Sequence, residues 1–230
     1  KCNVIPIALD PGVTRAVLRK VELPSAKYGT PGSYCQVLRG DICDELRWGP
    51  VSDLKAGEFV QIRIAPTNPD VMYAGTDSND MTIYRSTDGG DTWELVHVKG
   101  HAAGIAISPV DSNVVLYTNL EAPVQLTRNG GDSWESVVGN EPQSAHYNNP
   151  FTAISFSTDH PNIAYTAALR GSSRGGIWPP EPTDLFKSTD SGATWQQTGT
   201  CLTCSSIQSL VVKPGDPNFI WVAADGGLQY

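Results

Sequence analysis

The chain is short of charge. Asp, Glu, Lys and Arg make up 17% of its 230 residues, and it holds only 4 His and 2 Met. It lacks an apolar run of about 18 residues, which excludes a membrane-spanning helix of ordinary length. It also lacks a basic run. With 24 acidic and 16 basic residues its formal net charge is −8, the wrong sign for nucleic acid or an anionic membrane surface. No Gly-rich phosphate loop, GxSxG, HExxH or CxxCH occurs, so the motif-borne routes to phosphate binding, serine hydrolysis, zinc proteolysis and haem attachment are absent. No cofactor and no resident metal are expected. No signal-peptide pattern opens the chain at Lys1-Cys2, which suits a processed terminus.

What it has instead is punctuation, 22 Gly and 17 Pro, and one pattern written three times. The copies are Ser86-Thr87-Asp88-Gly89-Gly90-Asp91-Thr92-Trp93, Thr127-Arg128-Asn129-Gly130-Gly131-Asp132-Ser133-Trp134 and Ser188-Thr189-Asp190-Ser191-Gly192-Ala193-Thr194-Trp195. An Asp or Asn side chain bonds to backbone just ahead of it, and Gly supplies positive φ without a Cβ clash. Each copy reads as a self-locking turn whose Trp starts the next strand and buries a large ring.

Strand-like runs precede each copy. The first unit has 60–64, 71–75, 81–85 and 93–96, the second 105–107, 114–117, 124–127 and 134–138, the third 153–156, 163–166, 184–187 and 195–198. All are short, β-branched or aromatic, and separated by Pro/Asn/Asp turns. Four strands at a period of roughly 40–50 residues form a propeller-blade pattern. These repeats resemble the BNR, or Asp-box, repeats of β-propellers, a family that mixes sialidases, xyloglucanase-type glycoside hydrolases, sortilin-like receptors and photosystem II assembly propellers. The resemblance covers about residues 46–230. It implies an all-β propeller in which Ser86, Asp88, Gly90, Thr92, Trp93, Asn129, Gly131, Trp134, Ser188, Asp190, Gly192 and Trp195 are structural turn residues at the periphery.

A fourth unit starts at Ser209–Pro214 and Phe219–Ala223 and runs into Asp225-Gly226-Gly227. Leu46–Val51 reads as a fourth strand without its turn. The chain therefore carries about four blades, either closed on themselves through the Trp48 strand or forming the N-terminal part of a larger propeller. The second is preferred, since four blades are the lower limit of the architecture. Residues 1–45 lack the repeat and read as a segment that packs on the propeller or reaches to a partner.

There are five cysteines. Cys35 with Cys43, and Cys201 with Cys204, are expected as disulfides. For the second pair a redox dithiol or half of a zinc site, which needs two more ligands, is the alternative. Cys2 is the odd one. Disulfides imply an extracellular or periplasmic setting.

Candidate chemistry is sparse. Asp88, Asn129 and Asp190 recur, but one copy is Asn, which a catalytic acid would not tolerate. Arg63 resembles a sialidase Arg-Ile-Pro signature, broken by the inserted Ala65. Asp77-Ser78-Asn79-Asp80 offers oxygen ligands to calcium, and reads better as a solvated turn. His97 and His101 straddle a strand end and do not read as a metal pair. Hydrolysis of the xyloglucanase type needs two carboxylates across a cleft, and the resemblance points to Asp77 and Asp225. The longest insertion, 169–183, carries Arg170, Arg174 and Trp178 beside a Pro pair, a composition suited to binding a protein or glycan. The sequence favours a non-catalytic binding or assembly scaffold, with a glycoside hydrolase as the rival.

Overall fold

The computed structural model describes residues 15–20, 35–41, 49–50, 59–76, 82–98, 102–119, 124–137, 151–169, 183–201, 204, 207–224 and 227–229. The first three strands are described as backbone. The described residues are all-β, in antiparallel sheets, and contain no helix long and apolar enough to cross a membrane.

Five sheets follow one another along the chain. The first joins β1 (Arg15–Lys20), β2 (Cys35–Asp41) and β3 (Gly49–Pro50). Sheet two joins β4 (Phe59–Ala65), β5 (Asn68–Thr76), β6 (Thr82–Ser86) and β7 (Glu94–Val98). Sheet three joins β8 (Ala102–Ile107), β9 (Val115–Asn119), β10 (Gln125–Thr127) and β11 (Glu135–Ser136). Sheet four joins β12 (Phe151–Phe156), β13 (Ala164–Leu169), β14 (Thr183–Ser188) and β15 (Gln196–Cys201), and sheet five joins β16 (Ile207–Val212), β17 (Ile220–Ala224) and β18 (Gly227–Gln229). Within each sheet every strand pairs with its sequence neighbour, so each is a meander of hairpins.

The strand read at Leu46–Val51 is present as β3, and β1 and β2 lie within the non-repeating segment 1–45. Gly49–Pro50 does not close a distant blade: it pairs with β2, Leu38 opposite Pro50 and Arg39 opposite Gly49. A hairpin with the preceding strand closes a short loop, at a smaller entropic cost than a pairing across the chain. The three tryptophans lie just before strands β7, β11 and β15 rather than inside them.

The core lies between sheets. Tyr73, Ile83, Ile105, Val115 and Tyr117 fill the space between sheets two and three. Leu116, Leu126, Ile154, Phe156, Phe186 and Trp195 fill that between sheets three and four, and Tyr165, Ala167, Cys204, Ile207, Leu210 and Val222 that between four and five. The first strands β4, β8, β12 and β16 neighbour one another in series. The second strands of sheets two, three and four are sandwiched and read as unbroken runs: Val71–Thr76, Val115–Thr118 and Ala164–Ala168 are buried throughout. Full burial of one Leu or Ile side chain contributes about 1.5–3 kcal/mol, so each interface is a sizeable share of the stability.

Candidate functional site

Antiparallel meanders sort the loops onto two ends. The repeated turns join third strands to fourth. They share an end with the turns between first and second strands: Gly89 N donates to Asp70 O, Gly130 N to Asn113 O and Ser191 N to Asn162 O, at 2.9, 2.9 and 2.8 Å. Connections from second to third strand leave by the opposite end. Asp77, Arg170, Arg174, Trp178 and Asp225 fall in those connections and lie outside the described residues, as do Asp80 and His101. Cys43 lies outside them too, and Cys35 is described only as backbone in β2.

The turns themselves are closed networks. In the first, Ser86 Oγ donates to Asp88 Oδ1 (2.8 Å) and accepts from Gly90 N (2.9 Å), while Thr92 donates to Asp88 through its amide (2.9 Å) and its hydroxyl (2.5 Å). The third repeats this with Ser188, Asp190, Gly192 and Thr194. Gly90 and Gly192 both sit at φ +89°. In the second, Asn129 accepts from Thr127 Oγ1 (2.8 Å) and Ser133 N (3.0 Å), and donates Nδ2–H to Ser133 Oγ (2.9 Å). A neutral amide thus occupies the same place. Hydrogen bonds from the Thr92 hydroxyl and amide and from Ser86 hold the Asp88 carboxyl below its usual range. Burial pushes Asp190 up, and bonds from Thr194, Ser188 and the Ala193 amide outweigh it, so its value also falls.

Long-range bonds fasten one sheet to the next. Tyr73 Oη donates to Gly130 O (3.1 Å) and Ser112 O (3.3 Å) in sheet three. Opposite it on β6, Arg85 donates to Gly130 O (2.7 Å) and Glu94 (2.7 Å) and lies 3.4 Å from Asp132. Burial pushes the Tyr73 phenol up to about 12. Sheet four repeats the pair: Tyr165 Oη donates to Pro217 O (2.8 Å), and Lys187, opposite on β14, donates to Asn218 Oδ1 (2.7 Å) and lies over the Tyr165 ring. Cys201 and Cys204 are joined in a disulfide with Cα atoms 5.3 Å apart, so neither is a thiolate ligand. Thr183 Oγ1 donates to Cys204 O (2.9 Å) beneath it.

One turn departs from the pattern. Trp93 and Trp195 donate Nε1–H to the carbonyls of Gly90 and Gly192 in their own turns, at 3.2 and 3.0 Å, and are buried. Trp134 donates instead to Val96 O on sheet two (3.2 Å) and is half-buried. Its ring centroid lies 5.1 Å from that of His97 and 6.2 Å from that of Tyr117. Beside it opens a groove of about 440 Å³ lined by Leu95, Val96, His97, Asp132, Ser133 and Trp134.

Sequence relatives carry a single name. Xyloglucanase Xgh74A of Acetivibrio thermocellus is 28% identical over 145 residues, covering 57% of this chain and 16% of its own length. A xyloglucanase of a Paenibacillus species is 26% identical over 197 residues, covering 68% and 19%. Both are xyloglucanases. The chain thus spans less than a fifth of their length. No family model matches. Among solved structures, the Xanthomonas campestris GH74 xyloglucanase superimposes with a TM-score of 0.64 at 12% identity, over 84% of this chain and 33% of that one. The Niastella koreensis GH74 enzyme gives 0.62 at 18%, over 84% and 31%. YCF48 from Cyanidioschyzon merolae gives 0.53 at 17%, over 85% and 61%. The stacked sheets therefore share the fold of propeller-like proteins.

Sequence reasoning missed the tyrosine fastenings and the Trp134 groove. A signal for the first was present: Tyr73 and Tyr165 recur at one register position, facing Arg85 and Lys187, where sheet three has Leu116 facing Leu126. Nothing local marks Trp134, since its partner carbonyl is 38 residues away.

Proposed function

We propose that this chain is part of an extracytoplasmic β-propeller of Asp-box repeats that binds and cleaves a β-glucan of the xyloglucan class, with Asp77 and Asp225 as the acid and base carboxylates. The observation that carries this reading is that relatives by sequence and neighbours by fold bear the same name, xyloglucanase. Two features support it. Asp77 directly follows β5 and Asp225 directly follows β17, so both belong to connections at the end away from the repeated turns. The insertion with Arg170, Arg174 and Trp178 follows β13, the corresponding second strand, and would supply an aromatic surface and hydrogen-bond donors for sugar. The Cys201–Cys204 disulfide suits an oxidising compartment.

Reducing-end release from xyloglucan oligosaccharides tests the reading. Asp77→Asn and Asp225→Asn should each lower kcat by about 100-fold or more. No turnover by the parent protein, or turnover indifferent to both changes, sinks the hydrolase.

A non-catalytic binding or assembly scaffold is the second reading. It is favoured by the match to YCF48, of which this chain covers 61%, against 33% and 31% of the two GH74 enzymes. On it, Trp178→Ala should reduce capture of a protein or glycan partner and no hydrolysis should be found; an unchanged set of captured molecules would count against that loop.

A further inference from the structure

Trp134 marks a site that the repeat does not require. The same tryptophan closes its own turn in the other two copies. Here it crosses to Val96 O and leaves its indole half-buried on the wall of an open groove. Leu95, 51% exposed, also lines the groove. The rim is polar: Asp132, its side chain 67% exposed and 3.4 Å from the Arg85 guanidinium, and Ser133. The groove is shallow and largely open to solvent.

We propose that this groove is a sugar-binding subsite that takes one pyranose ring of a neutral glycan, its apolar C–H face against Trp134 and Leu95 and its hydroxyls on Asp132 and Ser133. A pyranose needs an apolar, preferably aromatic, wall together with acceptors at the edge, and the groove offers both. The carboxylate at the rim and the net charge of −8 disfavour phosphorylated, sulfated or uronic sugars. An open groove admits an internal unit of a polymer, whose neighbours run on into solvent. The groove lies against the repeated turn of sheet three, whereas Asp77 and Asp225 belong to connections leaving by the other end. On the function proposed above, it binds without cleaving and holds the polymer to the protein. That the polymer is a β-glucan rests on the function proposed above; that the groove takes a pyranose does not.

Isothermal titration of the full chain with a xyloglucan oligosaccharide tests the site, with saturation-transfer NMR against xylan, mannan and galactan oligosaccharides in parallel. Asp132→Ala should weaken binding by about tenfold or more, the scale of a lost hydrogen bond to a charged group. Leu95→Asp, which removes nothing from the core, should do the same. Melting temperatures identify any variant that fails to fold. Binding by the parent and by both folded variants with equal affinity overturns the groove and leaves the glycan function standing. Loss of xyloglucan binding only in Asp77→Asn or Asp225→Asn has the same meaning. Asp132-dependent contact with another neutral oligosaccharide, without xyloglucan binding, supports the groove and overturns the β-glucan assignment. No contact with any neutral oligosaccharide overturns both.

Discussion

Asp88 and Asp190 each hold a negative charge on three donors from their own turn. Their folded values lie below the ordinary 3.8. The stability they contribute is complete above the unfolded value and is lost as pH falls through the depressed folded values. Asn129 has nothing to titrate. Urea midpoints measured from pH 6 down to pH 2 should therefore show an acid limb that flattens in the double variant Asp88→Asn, Asp190→Asn. An unaltered limb would mean that other carboxylates set the acid stability. Gly192 carries a second residue-level constraint. It sits at φ +89°, and a Cβ there would come within 2.5 Å of Leu116 Cδ2 on the neighbouring sheet. Gly192→Ala should cost about 1–3 kcal/mol, a fall in Tm of about 2–4 °C per kcal/mol at this size. A melting curve superimposable on the parent's would refute the strain.

Among the elements, the fastening between sheets two and three concentrates on one carbonyl. Tyr73 and Arg85 both donate to Gly130 O. Tyr73→Phe and Arg85→Met should each destabilise by about 0.5–1.5 kcal/mol, and the double variant should depart from additivity by about 0.5 kcal/mol or more because the two share an acceptor. Strict additivity in a denaturation cycle would show that they act separately. The contrast with the turns explains what the sequence disclosed. Ser86, Asp88 and Thr92 bond within four residues of one another, so a short motif contains the whole network. Tyr73 reaches across 57 residues to Gly130, and Trp134 across 38 to Val96; such partners are fixed by how sheets stack, which no local pattern records. Of the sheet of β1 to β3 only the last strand was legible, at Leu46–Val51; β1 and β2 have no repeated turn to announce them. Asp77 and Asp225 were singled out only through resemblance, since they sit in connections whose composition alone does not distinguish catalysis from a solvated loop.

At the scale of the molecule, burial is divided among interfaces between successive sheets, and the disulfide sits at one of them. Cys204 is 1% exposed, packed with Tyr165, Ala167 and Ile207 between sheets four and five. Cleaving the bond with a strong reductant should speed amide hydrogen exchange in β15 and β16 while β4 to β7 keep their protection, because the bond ties no distant segments and its loop is short. A uniform rise in exchange across all sheets would show that the clasp governs the whole fold. The serial arrangement also has a mechanical consequence. A chain pulled by its two ends should not part all at once, because each sheet leans on its immediate neighbours and is itself a run of hairpins. It should lengthen in discrete steps, one sheet at a time. The forty residues from Phe59 to Val98 would release about 13 nm of contour, at roughly 3.3–3.6 Å per residue. The order of the steps would rank the interfaces by strength.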